Sequence, residues 1–273
     1  MKFLKLVFDF YLNASIHVAF SVYAFLRITE IYFELPYNEN INYFIFFGTI
    51  TGYNFVKYAG VAKLHHRSLT SGLKVIQIFS FFCFLALCYY GCLMDVKTLL
   101  FSIPFIALTV LYAVPFLSGF DKNLREVSYL KIIVVGFVWA GFTVWMPLVD
   151  VGTEISLNIV LLFLQRFLVV VVLILPFDIR DVQYDAISLQ TIPKKIGIEK
   201  TKKLGLMFLV FSLLLEYFLT IATGLRIPFM MFLFLLIIFL MSAKKEQSKY
   251  YSSFWVESLP IVWWLLLLGF HNI

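Results

Sequence analysis

Charge is scarce in this chain: only 14% of its 273 residues are Asp, Glu, Lys or Arg, while 62% are hydrophobic. Soluble domains carry about 25% charged and roughly 45–50% apolar residues, so the deficit excludes an ordinary soluble domain and points to a membrane protein. Long polar stretches are absent too, which leaves no room for a second, soluble domain; residues 1–273 are expected to form a single integral membrane domain. Cysteine is limited to Cys83, Cys88 and Cys92, all in one apolar segment. Their spacing fits no metal motif, and partners so placed on one helix cannot close normal disulfides, so they read as small apolar residues of a span. No Cys or His cluster offers a zinc site. There is no Gly-rich phosphate loop, no Gly-x-Ser-x-Gly and no internal repeat of the kind that marks transporters with inverted halves. A cleaved leader is not expected, because Asp9 interrupts the first apolar run and no small-residue cleavage site follows.

What is present is apolar and aromatic, with 32 Phe and 15 Tyr. Apolar windows fall at 14–33, 41–58, 74–93, 98–117, 128–148, 156–177, 204–223, 227–242 and 254–270. The expected fold is therefore all-α, a polytopic bundle of nine transmembrane helices. With the N-terminus cytoplasmic, 18 of the 22 Lys and Arg residues fall on the cytoplasmic side. Only Arg27, Lys97 and Arg226 fall opposite, and Arg166 lies within a span. This bias fixes the orientation and agrees with an odd number of helices. It also accounts for the net charge of +6 without nucleic acid, for which no motif is present. The expected setting is the cell inner membrane, with membrane lipid around the helices.

Acidic residues are rare, yet three cluster at one place. Asp178, Asp181 and Asp185 follow the apolar run ending at Phe177, at spacings i, i+3 and i+7. On a helix these positions lie within about 60° of one another. Three like charges on one face repel unless cations hold them. Mg²⁺ suits such a group, because it prefers oxygen and is commonly held by one or two carboxylates plus substrate phosphates. Two basic loops meet the acidic one on the same side, after the second and fourth spans. A diphosphate held between Mg²⁺ and Lys or Arg would be stabilised as a leaving group. An ordinary solvated loop is the plainer reading of the same residues.

The sequence resembles the UbiA superfamily of intramembrane prenyltransferases. Asp178-Ile-Arg-Asp181-Val-Gln-Tyr-Asp185, with Thr191-Ile-Pro193 and Gly197, is similar to the second aspartate motif and its tail. Lys122-Asn-Leu-Arg125 and Lys131, after Tyr112 and Pro115, resemble the basic segment between the fourth and fifth helices. Asn54 and Arg67-Ser-Leu-Thr-Ser-Gly72 resemble the ends of the first motif. The resemblance implies a UbiA-like prenyltransferase bundle that moves a polyprenyl group from a prenyl diphosphate to a lipophilic or aromatic acceptor. Asp178, Asp181 and Asp185 would hold Mg²⁺ and serve catalysis. Arg125, Lys131 and Lys195 would neutralise phosphate, and Asn54 would orient a ligand.

The first motif departs from the pattern. Counting from Asn54 places Tyr58 and Ala62 where aspartates belong, and no Asp or Glu occurs between Asn40 and Asp95. Lys57, Lys63 and Arg67 stand there instead. In one reading these cations replace one metal and transfer persists. In the other, the chain is a catalytically silent relative that binds an isoprenoid lipid or a membrane partner. A small-solute transporter would account for Arg166 and Glu216 but not for the clustered loops. Arg166, a lone charge costing at least roughly 2.5–3.5 kcal/mol at mid-span, is expected to face the interior near the same cavity, with Glu216 as a possible partner. His65 and His66 stand beside Arg67 as further candidates, whereas His17 carries no signal.

Overall fold

The computed structural model describes residues 2–62, 71–114, 130–183 and 191–271. The described residues form helices α1 (Lys2–Asn13), α2 (Ile16–Tyr32), α3 (Glu39–Ala62), α4 (Ser71–Cys92) and α5 (Val96–Ala113). They continue with α6 (Leu130–Ala140), a π-helical turn (Gly141–Trp145), α7 (Met146–Asp150) and α8 (Leu157–Asp181). The last are α9 (Ile192–Ile196), α10 (Ile198–Phe218), α11 (Arg226–Ser242), a second π-helical turn (Tyr251–Val256) and α12 (Leu259–His271).

Among the described residues, a helix occupies each of the nine apolar windows, but not all of them have the length and composition of a span. Five do: Gly72–Cys92, Val96–Ala113, Leu130–Asp150, Leu157–Asp181 and Tyr251–Phe270. A sixth is possible if α1 and α2, bent by 53°, count as one. The expectation of nine transmembrane helices is therefore met only as helices. α3 is diluted by Asn42, Thr49, Thr51 and Asn54; α10 opens with Glu199, Lys200, Lys202 and Lys203 and carries Glu216; α11 is apolar but short.

The helices close a ring. α2 packs on α3, α3 on α4 and α5, α5 on α6, α6 on α8, α8 on α10, and α10 on α11. α11 then packs on α12, which returns to α2. Trp263, Phe229, Phe232 and Phe25 are fully enclosed where α2, α11 and α12 meet, and Val169 to Val172 of α8 are buried beside them. α4 and α5 instead present Phe81, Phe82, Leu100 and Ile103 outward, as helices do when lipid is the solvent. The first π turn brings Gly141 against the Phe105 ring, so close that a Cβ at Gly141 would collide with it.

Arg166 does not reach the cavity described below. Its guanidinium donates to the Phe25 carbonyl at 2.7 Å and lies over the rings of Phe25 and Trp263 at 4.3 and 5.4 Å. Glu216 accepts from Tyr32 Oη at 2.9 Å and from Gln165 Nε2 at 2.8 Å. The two charges attract, but Arg166 is held by aromatic faces, the Phe25 carbonyl and Thr29 Oγ1, with its Nε left without a hydrogen bond and no ion pair to Glu216 among the described residues. This network ties α2, α8, α10 and α12 together, as buried polar groups must be tied.

Candidate functional site

A cavity of about 1100 Å³ lies inside the ring. It is bordered by α3, α4, α5, α6 and α8, with α1 and the start of α12 at one end. Along α3 its wall runs from Phe44 to Lys57, which at 1.5 Å per residue spans about 20 Å. Most of that length is apolar: Ile45, Gly48, Leu87, Leu99, Val135, Val170 and Ile174 line it. Tyr53, Trp139, Phe142 and Phe177 add aromatic faces, and Trp139 Nε1 is fixed to Tyr53 Oη at 2.9 Å.

Charge gathers at one end, where α3 finishes, α6 begins and α8 finishes. Lys57, Lys131, Arg180, Asp181, Asp9, Lys249 and Glu257 line the wall there. α8 runs to Asp181, beyond the apolar window, so Asp178 and Asp181 sit on rigid helix rather than in a loop. Asp178 is fully buried and accepts from Lys131 Nζ at 2.8 Å. The Asp181 carboxylate is gripped by both arms of Arg180, at 2.7 and 3.2 Å.

The first-motif residues turn toward the bend between α1 and α2. Asn54 is buried; its amide donates to the Ala14 carbonyl at 3.0 Å and to Ser80 Oγ at 2.7 Å, and its oxygen accepts from Ser15 Oγ at 2.7 Å. Lys57 Nζ donates to Ser15 Oγ at 2.9 Å, and Tyr58 Oη to the Asn13 carbonyl at 3.1 Å. Asn54, Lys57 and Tyr58 thus hold three consecutive residues of the bend. Lys57 also borders the cavity, whereas Asn54 does not.

Of the other candidates, Lys195 lies exposed on α9 and does not border the cavity. The short helix α9 ends on Gly197, whose φ of 84° and ψ of 157° are open to glycine alone. Asp185, Lys63, Arg67 and Arg125 lie outside the described residues, as do His65 and His66.

Sequence reasoning missed three groups at the charged end. Asp9 on α1 accepts from Lys249 Nζ at 2.7 Å and from Tyr250 Oη at 2.8 Å. That contact, with Tyr250 beside it, raises the Lys249 pKa above its ordinary value. Phe8 packs on Tyr250 and Phe254 at 5.3 and 5.1 Å, so α1 is clasped to the segment that leads into α12. The third is Glu257, just past the second π turn. A lone acid at the start of an apolar helix was the signal available for it.

Among the described residues, no group of three or more His, Cys, Asp or Glu forms a metal cage. The donor chemistry nevertheless suits one Mg²⁺ completed by phosphate, since that ion needs only one or two carboxylates from protein. Asp178 and Asp181 share one helical face and would be the two to supply them, although only Asp181 borders the cavity and Asp178 is fully buried.

No protein-family model matches the sequence, and no curated protein does. Solved structures do match over nearly the whole chain. One is described as a digeranylgeranylglyceryl phosphate synthase, 18% identical, covering 99% of this chain and 98% of its own, with a TM-score of 0.57. A UbiA homologue from Archaeoglobus fulgidus bound to GPP and Mg²⁺ is 12% identical, with 97% and 99% covered and a TM-score of 0.59. The same homologue bound to DMAPP and Mg²⁺ gives 12% and a TM-score of 0.58, with the same coverage. At these identities the likeness is one of fold, and on that ground the chain has the fold of the UbiA homologues.

Proposed function

We propose that this protein is a divergent member of the UbiA superfamily and transfers a prenyl group from a prenyl diphosphate to a lipophilic acceptor. The observation that carries this reading is the cavity: a long apolar wall that ends in a cluster of fixed cations and carboxylates. Such a shape matches a molecule with an isoprenoid tail and a doubly charged head. Ligands of that class, GPP and DMAPP, are bound with Mg²⁺ in neighbours of the same fold.

In this reading Lys57, Lys131 and Arg180 neutralise the diphosphate, with Lys63, Arg67, Arg125 and Lys195 contributing. Asp178 and Asp181, joined by Asp185, hold Mg²⁺, which supplies charge to stabilise the leaving diphosphate. Lys57 stands in for the acids missing from the first motif, so one metal rather than two serves the site. Asn54 acts through Ser15, fixing the bend that Lys57 leans on. Tyr53, Trp139 and Phe142 line the wall where allylic positive charge develops, and their faces attract it. The whole chain acts as one integral membrane domain, with the N-terminus and the charged end cytoplasmic, in the cell inner membrane.

A second reading, a silent relative that binds an isoprenoid lipid, is favoured by one observation. Both described aspartates are already engaged, Asp178 by Lys131 and Asp181 by Arg180. Radiolabelled geranyl diphosphate separates the two. The transferase reading expects Mg²⁺-dependent binding that Asp181→Ala abolishes, with labelled lipid product formed in membranes. Binding that ignores Mg²⁺ and survives the substitution, with no product from any acceptor, would leave the silent relative.

A further inference from the structure

Six of the charged side chains at the polar end are matched in pairs: Lys131 with Asp178, Arg180 with Asp181, Lys249 with Asp9. Lys57 and Glu257 are left over. Both border the cavity and attract each other, yet they close no ion pair among the described residues. The Lys57 ammonium donates to Ser15 Oγ, and the Glu257 carboxylate takes no hydrogen bond from a described residue. Its backbone, by contrast, is held firmly. The amide donates to the Ser252 carbonyl at 3.2 Å, and the carbonyl accepts from Ser21 Oγ. The π turn before it carries one extra residue per turn and so aims Glu257 at the cavity, a frequent use of such turns.

A cation and an anion facing one space, with neither closed on the other, suit a group that both accepts and donates. A hydroxyl does so: its oxygen accepts from Lys57 and its proton is offered to Glu257. A carbon nucleophile with no hydroxyl beside it offers neither contact. Resting on the transferase reading above, we infer that Glu257 is the catalytic base for a hydroxyl acceptor, a lipid alcohol or phenol lodged between it and Lys57. The C1–O bond of the prenyl diphosphate breaks and its electron pair leaves with the diphosphate. A lone pair of the acceptor oxygen forms the new C1–O bond, and the hydroxyl proton passes to the Glu257 carboxylate, which returns it to water. The product is an ether. Other groups that face Glu257 are Arg180 from α8, Tyr11 from α1 and Tyr53 from α3, with Ser21 of α2 on its backbone.

The test uses the full chain in nanodiscs with geranyl diphosphate and Mg²⁺, offering dioleoylglycerol and 4-nonylphenol as hydroxyl probes. Glu257→Gln should lower prenylation of the accepted probe by about 100-fold or more while geranyl diphosphate binding stays within about twofold. Glu257→Asp should restore part of the rate. Wild-type transfer should fall on acidification as the carboxylate takes a proton, and the Gln variant should lose that limb. Equal rates for wild type and Glu257→Gln would overturn the assignment, as would a variant that loses binding and transfer together. So would a wild type that binds geranyl diphosphate but prenylates neither probe. A wild type that fails to bind geranyl diphosphate overturns the transferase reading itself, and this assignment falls with it.

Discussion

Lys57 Nζ donates to Ser15 Oγ at 2.9 Å, which joins the eroded first motif on α3 to the bend between α1 and α2. Ser15 adopts a left-handed conformation, with φ of 62°, and its hydroxyl also donates to Asn54. Two effects oppose each other at this residue. Glycine would relieve a conformation that costs an L-residue about 1–2 kcal/mol, but any loss of the hydroxyl strands the buried Asn54 amide oxygen and takes a partner from Lys57. Ser15→Ala should therefore be less stable than Ser15→Gly by about 1–2 kcal/mol, and both less stable than wild type. Thermal unfolding in one detergent ranks the three.

The Lys131–Asp178 pair should respond unequally to its two halves. Asp178 is fully buried, whereas Lys131 keeps 19% of its side chain exposed. Lys131→Met takes the cation from beside a buried carboxylate and should cost about 3 kcal/mol. Asp178→Asn leaves an ammonium that still reaches the cavity, and should cost less. Equal melting temperatures for the two variants would contradict this burial asymmetry.

Arg166 supplies a contrast, since it lies outside the cavity. Arg166→Leu removes the donor to Phe25 and the counter-charge of Glu216. It should lower the melting temperature clearly while leaving the affinity for geranyl diphosphate within about twofold. A tenfold loss of affinity in folded protein would place Arg166 in the site after all.

The Asp9–Lys249 clasp is exposed and should be weak, below about 1 kcal/mol, and weaker still at 0.5 M salt. Because Asp9 raises the Lys249 pKa, this stability is fully present below the unfolded lysine pKa. It is lost as pH rises through the higher folded value. Asp9→Asn should thus differ from wild type near neutrality at low salt and match it in strong alkali, as compared by melting curves.

Cysteine chemistry reads cavity occupancy without any turnover. Cys88 and Cys92 are exposed and line the cavity, while Cys83 is buried. A prenyl diphosphate should slow maleimide labelling of Cys88 and Cys92 by about fivefold or more, with Cys83 unreacted throughout. Unchanged labelling at saturating ligand would mean that the tail lies elsewhere.

The legible parts were those set by local pattern. Each apolar window became a helix because 3.6-residue packing follows from the run of Leu, Ile, Val and Phe. The Asp178 and Asp181 spacing put both on one face of α8, as period alone requires. Glu257 and Asp9 gave no more than the signal of a single acid beside an apolar run, which names no partner. Their partners are Lys57, Lys249 and Tyr250, some 200 residues away. Asn54 was expected to orient a ligand; its contacts with Ala14, Ser15 and Ser80 could not be foreseen, since they depend on how α1 bends over α3.

By itself, the sequence determined the apolar character of the helices, the helical class and the acidic face of α8. Each follows from composition or from a period along one segment. Only the tertiary structure decided which charges are already matched, which side chains border one cavity and which helices are long enough to cross. Those depend on segments distant in sequence coming within a few ångströms, where the energy of a charge is set by its neighbours rather than by its own helix.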